Sequence, residues 1–408
     1  MRMTRKQIVY LALITAICLT GDSMLYVALP LNWTSAGLSG LWQVGILLAI
    51  NRIIRIPLGP LVGMLYGWLP HKTILILCLC LSGVITIGYG LADSFLHWII
   101  LRCLWGIVWI LLRMGAYLSI AEMSAEQERG QQIGTYNGLY RIGSLLGMLA
   151  GGYLSDLYGL SFVSILFGAL ILVSAPFFIA KLSFVGFERH PVRRKKPAPW
   201  TDFYVIGTES RMIRLLLTGL LVTLVFEGIL GATLSHMIHG FYSEKVNVFG
   251  ITIGAATLAG GLQACRWTWG PWVSPLVGKK IDQSVQIRSR MFMITLMAAA
   301  IAIGTIQLKS NVHLWSAIVL LIFLAATILT TVMDSFALEY SARSSKYIVM
   351  TLYTVFVDIG AALGPLVGFL LDGPYYTSFF MIGCLLIVWC LWLAEKGTVR
   401  TSTNKVGL

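Results

Sequence analysis

Long apolar runs follow one another along the whole chain, parted by short polar breaks. They cover approximately residues 7–31, 40–68, 73–92, 95–122, 131–155, 161–183, 212–240, 247–277, 290–308, 312–340, 346–371 and 375–395. A transmembrane helix needs about 20 mostly apolar residues, and each run is of that order. The pattern therefore predicts twelve membrane-spanning helices. The first stretch, MRMTRKQIVYLALITAICLTGD, has the charge and apolarity of a signal peptide. It lacks a small-x-small cleavage site, so it reads as the first span, kept in the mature protein.

Composition agrees with the pattern. Of the 408 residues 57% are hydrophobic and 12% charged, against roughly 25% charged in a soluble domain. The net charge of +13 raises nucleic-acid binding as a reading. The positions of the basic residues decide against it, because they sit in short loops. Eighteen Lys and Arg fall in the even loops and termini, and only Lys245 and Lys309 in the odd loops. By the positive-inside rule both termini lie in the cytoplasm, with the plasma membrane as the expected location. Cys18, Cys78, Cys80, Cys103, Cys265, Cys384 and Cys390 all fall within apolar runs. No loop carries a cysteine pair, so neither a disulfide framework nor a zinc site is indicated.

Residues 184–211 break the apolar pattern. They are basic, carry RRKK at 193–196 and hold Pro191, Pro197 and Pro199. They read as a cytoplasmic linker, its basic run serving as topology determinant or as a contact for anionic lipid headgroups. An internal repeat supports the division. The run DSMLYVALP from Asp22 corresponds to EGILGATLS from Glu227, an offset of 205. RIPLGP from Arg55 corresponds to RWTWGP from Arg266, offset 211, and PLVG ending at Gly63 to PLVG ending at Gly278, offset 215. RIGSLLGMLAG from Arg141 corresponds to DIGAALGPLVG from Asp358, offset 217. The offsets rise steadily, as small loop insertions produce. The expected fold is all-α and integral to the membrane, with twelve transmembrane helices in two pseudo-symmetric six-helix bundles. Residues 1–183 form the first bundle, 184–211 the linker, 212–395 the second bundle and 396–408 a cytoplasmic tail.

These motifs resemble the major facilitator superfamily over nearly the full length, and most nearly its drug:proton antiporters. DSMLYVALP resembles their first-helix motif, an acid followed by V-A-L-P. LRCLWG at 101–106 resembles their fourth-helix motif, with Arg102 four residues before Gly106 and Trp105 in place of Gln. ERGQQIG from Glu128, with Arg129, resembles the loop between helices four and five. GSLLGMLAGG from Gly143 resembles the fifth-helix glycine motif, with Met148 where the motif has Pro; Pro365 supplies one in the second half. After Gly63 the family's Asp-Arg is replaced by Gly67 and Trp68, whereas the second copy, after Gly278, keeps Asp282. The resemblance thus implies a cytoplasmic gating contact weakened in the first half.

Ionisable groups inside a bilayer cost at least about 2.5–3.5 kcal/mol and are functional candidates by default. Ten lie well inside the runs. The first half has Asp22, Arg52, Arg55, Arg102, Arg113 and Arg141; the second has Glu227, Arg266, Asp334 and Asp358. Two readings stand for each: an ion pair that holds one state of the protein, or a group that binds solute or proton. Asp22 lies about 21 Å from the cytoplasmic end of its helix, and Arg102 about 10 Å from the outer end of its own, so the two can meet in the outer half. Such a carboxylate takes a proton when its Arg turns elsewhere. Asp22 is the leading proton-coupling candidate, Arg102 its partner and Glu227 its counterpart in the repeat. Arg113 and Asp334 lie on helices four and ten, which line the cavity in the family. With Asn137 and Trp109 they are the candidate substrate-binding residues, Arg113 for an anionic group. By the same resemblance Arg52, Arg55, Arg141, Arg266 and Asp358 fall at the contact between the halves, with Gly63, Gly278, Asp282 and Arg129 in the loop motifs.

Weaker marks remain. His236 and His239 share a helix face as a metal pair or, more simply, an interfacial pair. Trp105, Trp109, Trp267 and Trp269 are candidates for stacking on a solute or for plain packing. Asn51, Gln263 and Tyr140 are candidate hydrogen-bonders of the cavity. No Walker-type GxxxxGK[ST] run occurs, so the energy source is an ion gradient or the solute's own. No catalytic triad or metal-ligand cluster appears at usable spacing, and no cofactor, metal or enzymatic activity is expected. The expected function is proton-coupled export of a small amphipathic or anionic organic molecule, by a monomer whose partners are solute, protons and membrane lipids. The alternative is uptake of an organic anion or nutrient by symport or exchange. A membrane sensor or a lipid flippase is a third reading.

Overall fold

The computed structural model describes residues 5–123, 129–182, 204, 206–243, 245–308, 311–343, 346–371 and 373–405. The basic run at 193–196 lies outside the described residues. In chain order the elements are α1 (Arg5–Ala28), α2 (Leu41–Ile53), α3 (Arg55–Trp68), α4 (His71–Leu91), α5 (Phe95–Met123) and α6 (Arg129–Leu182). There follow α7 (Ser210–Thr223), a π-helical turn (Leu224–Ile229), α8 (Leu230–Tyr242) and the strands β1 (Lys245–Val248) and β2 (Ile251–Gly254). The chain ends with α9 (Ala255–Ile281), α10 (Val285–Thr305), α11 (Val312–Arg343), α12 (Lys346–Leu370) and α13 (Pro374–Lys405).

Among the described residues ten helices are long and apolar enough to cross a membrane. One of these stretches, Gln131–Ala180, is 50 residues long and is two crossings in one. Gly159 interrupts it with φ 81° and ψ 168°, a conformation that a side chain opposes. The sequence-predicted runs 131–155 and 161–183 therefore correspond to the two parts of α6. Helix α9, 27 residues long, has the length to cross but is less apolar than the ten. The run at 40–68 is likewise two helices, α2 and α3, which meet at Ile54. Pro57 removes the amide that would bond to Ile53, which breaks the ladder there.

Two sequence expectations need correction. The run expected to be helical from 247 starts as a hairpin. Strands β1 and β2 pair antiparallel, Val246 opposite Ile253 and Val248 opposite Ile251. The turn between them has Phe249 at φ 51° and Gly250 at φ 83°. Its Gly250 amide donates to Asn247 Oδ1 at 2.9 Å. Alternating β-branched residues around a turn with two positive φ angles give a hairpin, so α9 begins only at Ala255. The ninth run begins at Val285 rather than 290. Ser284 caps α10 by accepting from the amides of Gln286 and Ile287, so Arg288 is helical rather than in a loop. It pairs with Glu339 at 2.5 Å.

The repeat has a packing meaning, because the same glycines bring helices together in both copies. In the first, α6 lies on α1. A Cβ on Gly143 would stand 2.0 Å from the Ala16 carbonyl oxygen, and one on Gly147 2.4 Å from that of Thr20. In the second, α12 lies on α7 and the π-turn. A Cβ on Gly360 would stand 2.2 Å from the Leu220 carbonyl oxygen, and one on Gly364 2.2 Å from Gly228 Cα. Small residues that let backbones touch are the means of helix association in a medium without hydrophobic drive.

By its contacts the chain divides into two compact units, Met1–Lys195 with Gly231–Thr268, and Lys196–Leu230 with Trp269–Leu408. Residues 231–268 join the first unit because the start of α9 packs closely on α6. A Cβ on Gly152 would stand 2.5 Å from the Ala256 carbonyl oxygen, and one on Gly260 2.2 Å from that of Met148. Asp156 of α6 closes this contact. Its carboxylate accepts from Thr257 N at 2.7 Å, Thr257 Oγ1 at 2.5 Å and Ala256 N at 3.4 Å. Gly254, at the helix start, has no side chain to do this. The distant carboxylate supplies the cap, and also meets the positive end of the helix dipole. Asp156→Ala is expected to cost about 1–2 kcal/mol and to lower the melting temperature in detergent; Asp156→Asn, which keeps an acceptor, is expected to recover part of it.

Candidate functional site

Among the described residues of the first unit, Asp22 and Arg102 form a buried ion pair. Asp22, in the middle of α1, is 7% exposed and Arg102 of α5 0%. Asp22 Oδ1 accepts from Arg102 Nη1 in a short contact. The approach follows from Gly106, four residues beyond Arg102. A Cβ there would stand 2.6 Å from the Asn51 carbonyl oxygen and 2.4 Å from an Ile54 methyl. The bare glycine lets α5 lie against α2, and the Arg–x–x–x–Gly spacing thereby brings the guanidinium within reach of α1 and α2. Arg102 Nε donates to the Leu47 carbonyl at 2.8 Å, and Asn51 Nδ2 to Asp22 Oδ1 at 3.3 Å.

Aromatic groups enclose the pair. Arg102 lies 6.0 Å from the Tyr89 ring centroid, and Tyr89 stacks on Trp98 at 5.3 Å and 5°. One turn beyond Asp22, Tyr26 accepts from Arg52 Nε at 3.4 Å. Arg102 Nη2, Asn51 Oδ1, Tyr89 Oη and Trp105 Nε1 are buried with no hydrogen-bond partner among the described residues. Such groups each carry a desolvation penalty of about 1–3 kcal/mol. The pair therefore sits in a polar pocket with unused hydrogen-bonding capacity.

A second cluster in the first unit joins α3, α5 and α6. Trp109, Tyr140, Tyr136 and Tyr117 form a chain of rings, with centroids 5.7, 5.2 and 6.0 Å apart at 74°, 52° and 72°. Arg55 lies 5.5 Å from the Trp109 ring and Arg113 5.6 Å from the Tyr117 ring. Tyr117 Oη donates to Asn137 Oδ1 at 3.2 Å. Three of the four candidate substrate residues, Trp109, Arg113 and Asn137, are thus brought together. A third cluster puts Trp267 beside two guanidiniums, Arg141 at 5.3 Å and Arg266 at 5.4 Å.

In the second unit the π-turn carries Glu227, half-buried. Single π turns inside α-helices recur at functional sites, and nothing in the local sequence announces this one. Asp334, the fourth candidate substrate residue, accepts from Tyr353 Oη at 3.0 Å, and Glu227 lies within electrostatic reach of the same tyrosine. Asp358 is half-buried in α12 and makes no hydrogen bond or ion pair among the described residues. Gly63 lies within α3, and Gly278 lies near the end of α9, where a Cβ would meet nothing within 4 Å. Asp282 is exposed just past α9. Arg129 opens α6, and its side chain lies outside the described residues.

Sequence reasoning missed Tyr26, Tyr89, Tyr117, Tyr136 and Tyr353. A usable signal existed for two of them. Tyr26 follows Asp22 by four, and Tyr117 follows Arg113 by four, so each shares a helix face with its charge.

The family model described as Major Facilitator Superfamily matches residues 11–343. No curated protein sequence matches the chain. Among solved structures, a bacterial homolog of the human lysosomal transporter Spinster, inward-facing and unoccupied, is similar at 17% identity with a TM-score of 0.77, covering 97% of this chain and 98% of that one. A peptide transporter POT in complex with sulfate is 13% identical with a TM-score of 0.74, covering 97% and 94%. The nucleoside transporter NupG is 11% identical with a TM-score of 0.70, covering 95% and 98%. At these identities the likeness establishes the fold.

Proposed function

The chain belongs to the Major Facilitator Superfamily, a multi-pass membrane transporter by that membership, and on that premise we propose that it exports a small amphipathic or anionic organic molecule in exchange for protons. The observation that carries this reading is the buried Asp22–Arg102 pair. A proton arriving on Asp22 removes the charge that holds the guanidinium. The guanidinium then needs another acceptor in a low-dielectric pocket, where an unpaired charge is costly. Proton loading and rearrangement of α1 against α5 are thereby one event. Glu227, its counterpart in the repeat, sits in the π-turn, a kind of segment that recurs at functional sites. The drug:proton antiporter likeness of the Asp22 and Gly143 motifs supports export, and the distribution of basic loops supports cytoplasmic termini in a plasma membrane. Arg113, Asn137, Trp109 and Asp334 are proposed as the substrate-binding residues. The remaining charged positions, Arg52, Arg55, Arg141, Arg266 and Asp358, are proposed to gate, as a monomer.

The excess of Arg in the first half favours a second reading, uptake of an organic anion. Direction separates the two. In inside-out vesicles energised with an acid interior, the protein is expected to accumulate its solute, and collapsing the pH gradient is expected to abolish this. Accumulation by right-side-out cells instead would establish uptake.

A further inference from the structure

We propose that the ring ladder of α5 and α6 seats an aromatic anion, its ring against Tyr117 and Tyr140 and its acidic group on Arg113. This rests on the transport reading and names the chemical class of its solute. Three observations lead to it. Two of the three ring contacts are edge to face and the third, Tyr136–Tyr140, is tilted, an arrangement that presents both π faces and positive edges to a further ring. Each end of the ladder carries a guanidinium, Arg55 over Trp109 and Arg113 over Tyr117, and guanidinium is the side chain whose planar donors match carboxylate, sulfonate and phosphate. The stripe of α6 that adjoins Asn137, on the side of the helix away from Tyr136 and Tyr140, is partly open, with Arg141 beside Trp267. Gln131, Gly134, Gly138 and Arg141 are exposed in one helical stripe, and a Cβ on Gly134 or Gly138 would meet nothing within 4 Å.

Burial separates support from contact. Tyr136 is 0% exposed and shares a hydrogen bond with Thr15 at 3.1 Å, so it backs the ladder. Tyr117, Tyr140, Arg113 and Asn137 are half-buried and offer surface. The sign of the solute follows from the charge count. Well inside its apolar runs the first half carries five Arg and one acid, Asp22, and that acid is engaged by Arg102. An aromatic cation would enter against this field.

The test uses three matched probes on the purified full-length protein in detergent: 2-naphthoate, its decahydro analogue and 2-naphthylmethylammonium, with binding followed by calorimetry. Naphthoate is expected to bind about tenfold tighter than either, the order of a favourable ring–ring contact. Arg113→Gln is expected to weaken naphthoate by about tenfold or more, and Arg113→Lys by less. Tyr140→Leu is expected to bring naphthoate down to the decahydro acid, while Tyr140→Phe keeps the preference. Equal binding of the two acids, tighter binding of the ammonium, or no binding of naphthoate would overturn the proposal. Binding at equilibrium needs no gradient. Selective naphthoate binding with no coupled proton flux would therefore sink the coupling mechanism alone.

Discussion

Replacing Arg102 with Met is expected to destabilise the protein by about 3–5 kcal/mol, because it leaves the Asp22 carboxylate buried without its partner. Arg102 is fully buried, with its guanidinium on Asp22 and its Nε on the Leu47 carbonyl. The melting temperature in detergent is expected to fall by several degrees. The double variant Asp22→Asn, Arg102→Met is expected to recover most of the loss, since a pair removed together costs far less than a pair broken. If the double variant melts no higher than Arg102→Met alone, the two side chains are not coupled.

A comparable loss is expected at the paired glycines. Gly147→Leu in α6 and Gly364→Leu in α12 each drive a side chain into backbone, the Thr20 carbonyl in one case and Gly228 in the other. Backbone yields less than a flexible side chain, so the cost is expected at about 3 kcal/mol or more, at the upper end for overpacking. The readout is the yield of monodisperse protein together with its melting temperature. Gly261→Ala and Gly383→Ala are the controls, because a Cβ at either meets nothing within 4 Å. There the higher helix propensity of Ala is expected to stabilise by up to about 1 kcal/mol. Equal effects at all four positions would show that the glycines serve the helices and not their contacts.

These residues mark what was legible from sequence. Helix placement follows from apolar length, since a bilayer demands it, and the repeat located the glycine pairs before their role was visible. The meeting of Asp22 and Arg102 could be estimated from depth along two helices, because rise per residue is fixed. Features set by local backbone geometry were not legible. The hairpin at Lys245–Gly254 hides inside an apolar run whose period does not distinguish strand from helix over eight residues. The π-turn around Glu227 has no sequence mark. The ring ladder was seen only as Trp109, Asn137 and Tyr140, because Tyr117 and Tyr136 join it through the crossing of α5 and α6. Arg288 passed for a loop cation because the Ser284 cap, six residues ahead of the expected start, was not recognised.

The most direct measurement of the central claim is solute-driven proton flux in liposomes holding the purified protein, with 2-naphthoate as the first solute in a panel of drugs and organic acids. The wild-type protein is expected to move protons against the solute. Asp22→Asn is expected to abolish that flux while solute exchange down its own gradient continues, and Glu227→Gln to reduce it. Undiminished proton flux in both variants would contradict the assignment of coupling to these acids.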